Sequence, residues 1–252
     1  MQLESIQVVV RPRGHWESVD LGLLMARRWW LVLTGSWLAT AGPVFLVSAV
    51  LTGSPFWSVL ITWWLKPLYE RLPLHVLSAA IFGEQMSISD AVRRYRESVV
   101  PGLMAALTIS RLSANRGFYA PVAVLEGLAR RDLRTRYRIL HRSAGAAAGW
   151  LTILGIHIEG FLYVGVLALV FFLVPGEFKV DWWSVMVDES NFAIVWGSTV
   201  LWFACMMFVA PVYVACGFSL YLNRRMELEG WDIEVGFRRV LTRVPDRERF
   251  AV

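Results

Sequence analysis

Lysine, cysteine and histidine are scarce in this chain. Of its 25 basic residues only Lys66 and Lys179 are lysines, and the 252 residues include 2 cysteines and 4 histidines. Cys205 and Cys216 fall in one expected helix, where their separation at about 1.5 Å rise per residue is roughly 16 Å, which excludes a disulfide or a shared metal ion between them. No Walker loop, dinucleotide-binding glycine loop or nucleophile elbow occurs, so nucleotide-dependent and serine-hydrolase chemistries have no basis in the sequence. HxxxH and ExxH spacings are absent as well, and no metal site is expected. The chain therefore reads as non-enzymatic and without a cofactor. Charge is also limited, at 18%, and Asp, Glu, Lys and Arg are missing altogether from residues 29 to 65 and 190 to 223. Internal repeats, low-complexity segments and a second soluble domain are lacking too.

What fills the sequence instead is apolar. It is 56% hydrophobic with 13 tryptophans and a mean hydropathy of +0.50, beyond the usual composition of soluble domains. The run from 29 to 65 exceeds the ~20 residues that one membrane helix needs. It predicts a hairpin, with a first crossing over 29 to 52 and a turn at Thr52-Gly53-Ser54-Pro55. The preceding Ala26-Arg27-Arg28-Trp29-Trp30 has the basic and aromatic character of an inner interface. The run is too long for a cleaved leader and reads as a retained membrane helix. The net charge of +5 follows the positive-inside rule, so nucleic acid is not an expected partner.

The second crossing is unusual. Only ten uncharged residues lie between 56 and 65, after which Trp63-Trp64-Leu65-Lys66-Pro67-Leu68-Tyr69-Glu70-Arg71-Leu72-Pro73-Leu74-His75 brings charge and proline together. Residues 84 to 145 then carry arginine after arginine, among them Arg93, Arg94, Arg96, Arg130, Arg131, Arg134, Arg136, Arg138 and Arg142. Placing that segment outside contradicts the positive-inside bias, so the crossing must continue to about 82 and carry Lys66, Glu70 and Arg71 with it. A third crossing spans 144 to 174, with His157 and Glu159, and a fourth spans 193 to 222. Between them residues 175 to 192 form an acidic outer loop with the interface pair Trp182-Trp183.

The expected fold is all-α: a polytopic membrane protein of four transmembrane helices with cytoplasmic amphipathic helices. Its order is a cytoplasmic segment 1–28, a hairpin 29–82, an arginine-rich helical segment 83–143, a hairpin 144–222 and an amphipathic tail 223–252. Within 83–143, Ser87-Ile88-Ser89-Asp90 predicts a capped helix start, and a second helix runs from 121 to 143. Residues 99 to 110 are too short an apolar patch to span and read as buried, interfacial or re-entrant. Gly230 ends the last helix, with Asp232 capping a surface helix beyond it.

Several segments together resemble an uncharacterised family of bacterial inner-membrane proteins: Arg11-Pro12-Arg13, Trp16 to Gly22, Trp63 to Leu74, Arg111-Leu112-Ser113, Pro121-Val122, Leu125-Glu126-Gly127-Leu128, and Leu220 to Glu234. Such proteins are often encoded near MoxR-type AAA ATPases and a transglutaminase-like membrane protein. The tail Leu220-Tyr221-Leu222-Asn223-Arg224-Arg225 with Glu229-Gly230-Trp231-Asp232-Ile233-Glu234 is also similar to the membrane domain of some glycerophosphodiester phosphodiesterases, whose catalytic domain has no counterpart here. The resemblance implies an inner-membrane location and AAA ATPase-associated protein partners, and it assigns no activity.

Two candidate sites follow. Lys66, Glu70, Arg71 and Glu159, exposed singly to lipid at about 2.5–3.5 kcal/mol each, would cost roughly 10 kcal/mol together, so they must meet one another. Lys66 and Glu70 share a helix face at four-residue spacing, and Arg71 can reach Glu159. The set, with His157 nearby, is either a closed structural network or a polar pathway for an ion, proton or headgroup. His157 and Glu159 stand about 200° apart on a helix, which prevents both from binding one ion. The second site is a cytoplasmic docking face comprising Arg130, Arg131, Arg134, Arg138, Arg224, Arg225, Glu229, Trp231 and Asp232. Anionic lipid headgroups, an acidic protein partner or packing of the tail on the arginine helix all account for it. Homo-oligomerisation is compatible with either site.

Overall fold

The computed structural model describes residues 7–9, 11–84, 86–95, 103–108, 111–128, 130–173, 192–231 and 233. Among them the chain is helical throughout, with no strand. The helices, in order, are α1 His15–Arg28, α2 Trp30–Thr52, α3 Pro55–Trp64, α4 Lys66–Tyr69, α5 Arg71–Ile81, α6 Ile88–Arg93, α7 Leu103–Leu107, α8 Arg116–Leu125, α9 Arg130–Leu173 and α10 Phe192–Glu229. Three are long and apolar enough to cross a membrane: α2, α9 and α10. That property marks a membrane protein. The crossing expected over 56 to 82 is instead divided into α3, α4 and α5, none long enough alone.

Local chemistry sets many of the boundaries. α2 ends at Gly53, whose φ of 58° is the left-handed C-cap that glycine adopts without strain, and Pro55 opens α3 at its first position. Ser87 caps α6 by accepting the Asp90 N–H, and Gly127 and Gly230 take positive φ just after α8 and α10. α9 runs unbroken for 44 residues, joining the arginine-rich helix to the third crossing. At about 1.5 Å per residue it is roughly 66 Å long against a hydrocarbon core of about 30 Å, so much of it must stand clear of the bilayer. α10, at 38 residues, carries through Arg224 and Arg225 to Glu229 rather than closing at 222. The predicted tail helix beyond Ile233, half of the patch from 99 to 110 and nearly all of the outer loop 175–192 lie outside the described residues.

α1 is folded onto the C-terminal half of α10 and runs antiparallel to it. Its inward positions are Ser18, Gly22, Met25 and Ala26, small enough for the two backbones to approach: a Cβ on Gly22 would stand 2.5 Å from Cys216 Cα. Ser219 Oγ donates to Ser18 O at 2.6 Å, and Asn223 clasps Arg13, accepting its N–H and donating to its carbonyl, both at 2.9 Å. Trp29 separates α1 from α2, yet its N–H still reaches Met25 O and its carbonyl still accepts from Leu33, so the two form one bent rod. α2 continues along the N-terminal half of α10, where Trp37 and Phe45 meet Phe203 with ring centroids 5.4 and 4.5 Å apart. The main core lies toward the C-terminal half of α10, where Leu33, Leu72, Leu77, Phe118, Leu140 and Phe218 are buried together. Of the apolar windows of the three long helices, that of α10 is 61% buried and that of α9 only 6%.

Candidate functional site

Lys66 begins α4, eleven residues below Pro55. At helical rise it stands about 16 Å from the turn at Gly53 to Pro55. Its Nζ donates to Glu159 Oε2 on α9 at 2.5 Å, with both residues almost fully buried. Glu70, at the junction of α4 and α5, faces Arg116 of α8 at 3.8 Å. The Arg116 guanidinium also lies over the Tyr213 ring and donates through Nε to Tyr213 Oη at 3.3 Å; that hydroxyl is 2.9 Å from Thr152 Oγ1 on α9. Four elements thus close on one polar centre.

These pairings differ from those expected of a continuous helix. Lys66 and Glu70 would share a face only if the helix were unbroken, but breaks at Leu65 and Glu70 turn them toward different partners. Lys66, not Arg71, is the partner of Glu159. Arg71 is buried with the Tyr95 and Tyr137 phenols as its electrostatic neighbours. His157 points away from the cluster: it is exposed, its Nδ1 donates to Ile153 O at 2.8 Å, and its ring lies beside Phe161. Among the described residues no group of His, Cys, Asp or Glu is arranged to hold a metal ion.

The interrupted stretch from α3 to α5 is mended by residues that follow it in the chain. Pro67 has no N–H to return to Trp63 O, and the Leu68 N–H turns to Leu65 O at 2.8 Å, which leaves Trp64 O without its helical donor. Arg111 supplies both: its Nη2 donates to Trp63 O, its Nε donates to Trp64 O at 3.0 Å, and its guanidinium stacks 4.1 Å over the Trp63 ring. It is 2% exposed. Tyr95 adds a third donor, its hydroxyl reaching Leu68 O at 3.0 Å. Burial pushes this phenol up to about 12, so it remains a donor across the physiological range. The positive-inside reading takes in both Arg111 and Arg116, and Arg111 also falls in the Arg111-Leu112-Ser113 segment of the family resemblance, which assigns it no role. The proline-freed carbonyls were a sequence signal that some donor was needed, but nothing in the local pattern distinguished these two arginines from their neighbours.

The proposed docking residues divide into two groups. Those of the tail turn inward: Arg224 pairs with Glu227 at 2.7 Å, Arg225 with Glu229 at 2.9 Å, and Trp231 Nε1 donates to Glu229 at 3.0 Å. The bridge to the arginine helix is Arg136, which contacts Glu126 at 2.8 Å and Glu229 at 2.9 Å. Arg131, Arg134 and Arg138 are exposed. The side chain of Arg130 and all of Asp232 lie outside the described residues. A cavity of about 220 Å³ opens near the same residues, lined by residues including His75, Arg94, Phe218, Tyr221 and Trp231, and its lining includes neither Lys66 nor Glu159. Comparison with protein-family models, curated proteins and solved structures finds no match.

Proposed function

We propose that the chain is a non-enzymatic scaffold or accessory subunit of a bacterial inner membrane, with four crossings, both termini cytoplasmic and a basic cytoplasmic face for partners. The observation that supports this reading is the use made of the intramembrane charges. Lys66 is closed on Glu159 with both nearly fully buried, and Arg111 is spent on the carbonyls of the interrupted helix. These groups hold α3 to α5 against α9 and α8 instead of lining an open route. The division of the second crossing into three pieces is compatible with spanning because neighbouring elements satisfy the freed backbone. The family resemblance adds AAA ATPase-associated proteins as candidate partners, and the exposed apolar outer half of α9 leaves room for a second copy or another membrane helix beside the lipids.

A second reading, a small transporter, channel or lipid-handling protein, draws on Glu70. Its Oε1 is buried and accepts no hydrogen bond among the described residues, which suits a carboxylate that binds or passes a cation. The two readings separate with the double variant Lys66→Met/Glu159→Leu. As a structural lock the pair is replaceable by apolar side chains, whereas removal of either partner alone costs about 3–5 kcal/mol. The scaffold reading expects the folded double variant and the native chain to recover the same stoichiometric partner from native membranes in mild detergent. Repeated recovery of the native protein alone overturns it.

A further inference from the structure

We infer that Arg131, Arg134, Arg138 and Arg142 form a recognition stripe for an acidic helical segment of a partner protein, held away from the lipid surface. This deepens the scaffold reading and rests on it. The four positions fall at i, i+3, i+7 and i+11 on α9, within an arc of about 80° at 100° per residue, so they form one row roughly 16 Å long. All four are exposed, and none makes an ion pair with a described residue. Arg136, on another face, is the arginine that ties α9 to Glu126 and Glu229. The fold thus uses one arginine of this stretch to dock its own tail and leaves a separate row open. Asp132 lies at the flank, about 100° from Arg131, and Ile139 beside the row is 45% exposed, an apolar contact that suits an amphipathic helix better than a uniform polyanion.

Height above the membrane decides between protein and lipid. Trp150 on α9 is 56% exposed, and an exposed tryptophan at the start of an apolar run marks the interface. From there Arg142 is about 12 Å and Arg131 about 28 Å along the helix. Even at a tilt of ~40°, Arg131 stays about 22 Å out. The potential of anionic headgroups falls off within a Debye length of about 8 Å. A lipid surface can therefore act on the lower end of the row at most, while an acidic helix lying along α9 meets all of it.

The test places the full chain in phosphatidylcholine nanodiscs and measures binding of two fluorescent alanine-based helical peptides of equal composition. One carries glutamates at i, i+3, i+7 and i+11, and the other has them spread round the helix. The spaced peptide should bind about ten-fold more tightly, weaken in high salt, and lose that advantage with Arg131→Gln/Arg134→Gln/Arg138→Gln/Arg142→Gln, whose thermal unfolding should match the native chain. Equal binding of the two peptides overturns the inference, as does binding that the quadruple variant leaves unchanged. Abolition of binding when the nanodisc is made rich in phosphatidylglycerol also overturns it, by placing the row on headgroups. Failure here with a native partner still recovered leaves the scaffold reading standing; recovery of the chain alone from native membranes removes that reading itself.

Discussion

Arg111 sits where two successive carbonyls have lost their helical donors, and its planar fork meets both while its face covers Trp63. Each buried acceptor left unsatisfied costs about 1–3 kcal/mol, so Arg111→Ala should destabilise the chain by roughly 2–5 kcal/mol in denaturant or thermal unfolding in nanodiscs. Arg111→Lys should not fully restore it, because the ammonium has donors but neither the fixed fork aimed at these two carbonyls nor a planar face to stack on Trp63. Adding Pro67→Ala to Arg111→Ala returns an N–H to Trp63 O and should recover part of the loss. If it recovers nothing, the arginine is not acting through the freed backbone. At this scale the sequence pointed to Lys66, Glu70, Arg71 and Glu159 as residues that must be buried, because charge in an apolar crossing is costly wherever it falls. It could not pair them, since pairing depended on the breaks at Leu65 and Glu70 and on arginines from a distant loop.

At the scale of elements, the packing of α1 on α10 depends on small residues. Gly22→Ala would force a Cβ against the Cys216 backbone, where no side chain can swing aside, and overpacking of this kind costs about 1–3 kcal/mol. The measurable outcome is lower thermal stability and faster proteolysis within residues 15 to 28. Gly165→Ala, with nothing within 4 Å of its added Cβ, should leave both unchanged. A similar close approach occurs where α8 crosses α10, with Gly117 O 2.6 Å from a Cβ built on Gly217. The turn at Gly53 and Pro55, the Ser87 cap and the stop at Gly230 were legible because each is decided by a few adjacent residues. The burial of α1 was not: its inward face is Ser18, Gly22, Met25 and Ala26, while Trp16, Leu23 and Leu24 are exposed, so hydrophobic patterning reads it as a polar leader to the first crossing. The single length of α9 escaped for another reason. The division at 143 followed a change in composition, and Ser143 and Gly145 there, a capping type and a helix-weakening type, are carried inside one continuous helix.

At the scale of the whole molecule, the end built on the C-terminal half of α10 holds the main buried core, while the apolar window of α9 is only 6% buried. Four crossings predict a definite sidedness. A cysteine placed at position 181 should react with a membrane-impermeant maleimide in intact cells, and one at position 134 only after permeabilisation; buried Cys205 and Cys216 should contribute little background. Reaction of position 134 in intact cells would remove residues 56 to 82 as a crossing. The positive-inside bias is the ground on which that crossing is proposed, because it constrains where the chain must return without describing how. The how has a consequence for synthesis. Lys66 and its carboxylate partner are separated by 93 residues, and at roughly 5–20 residues per second the ribosome needs about 5–20 s to deliver Glu159 after Lys66. On the proposed topology, the second crossing has during that interval neither its counter-charge nor, for part of it, the Arg111 donors. Its settled place in the bilayer therefore waits on later parts of the same nascent chain, and a ribosome stalled between residues 75 and 110 holds a hairpin with only its first arm securely inserted.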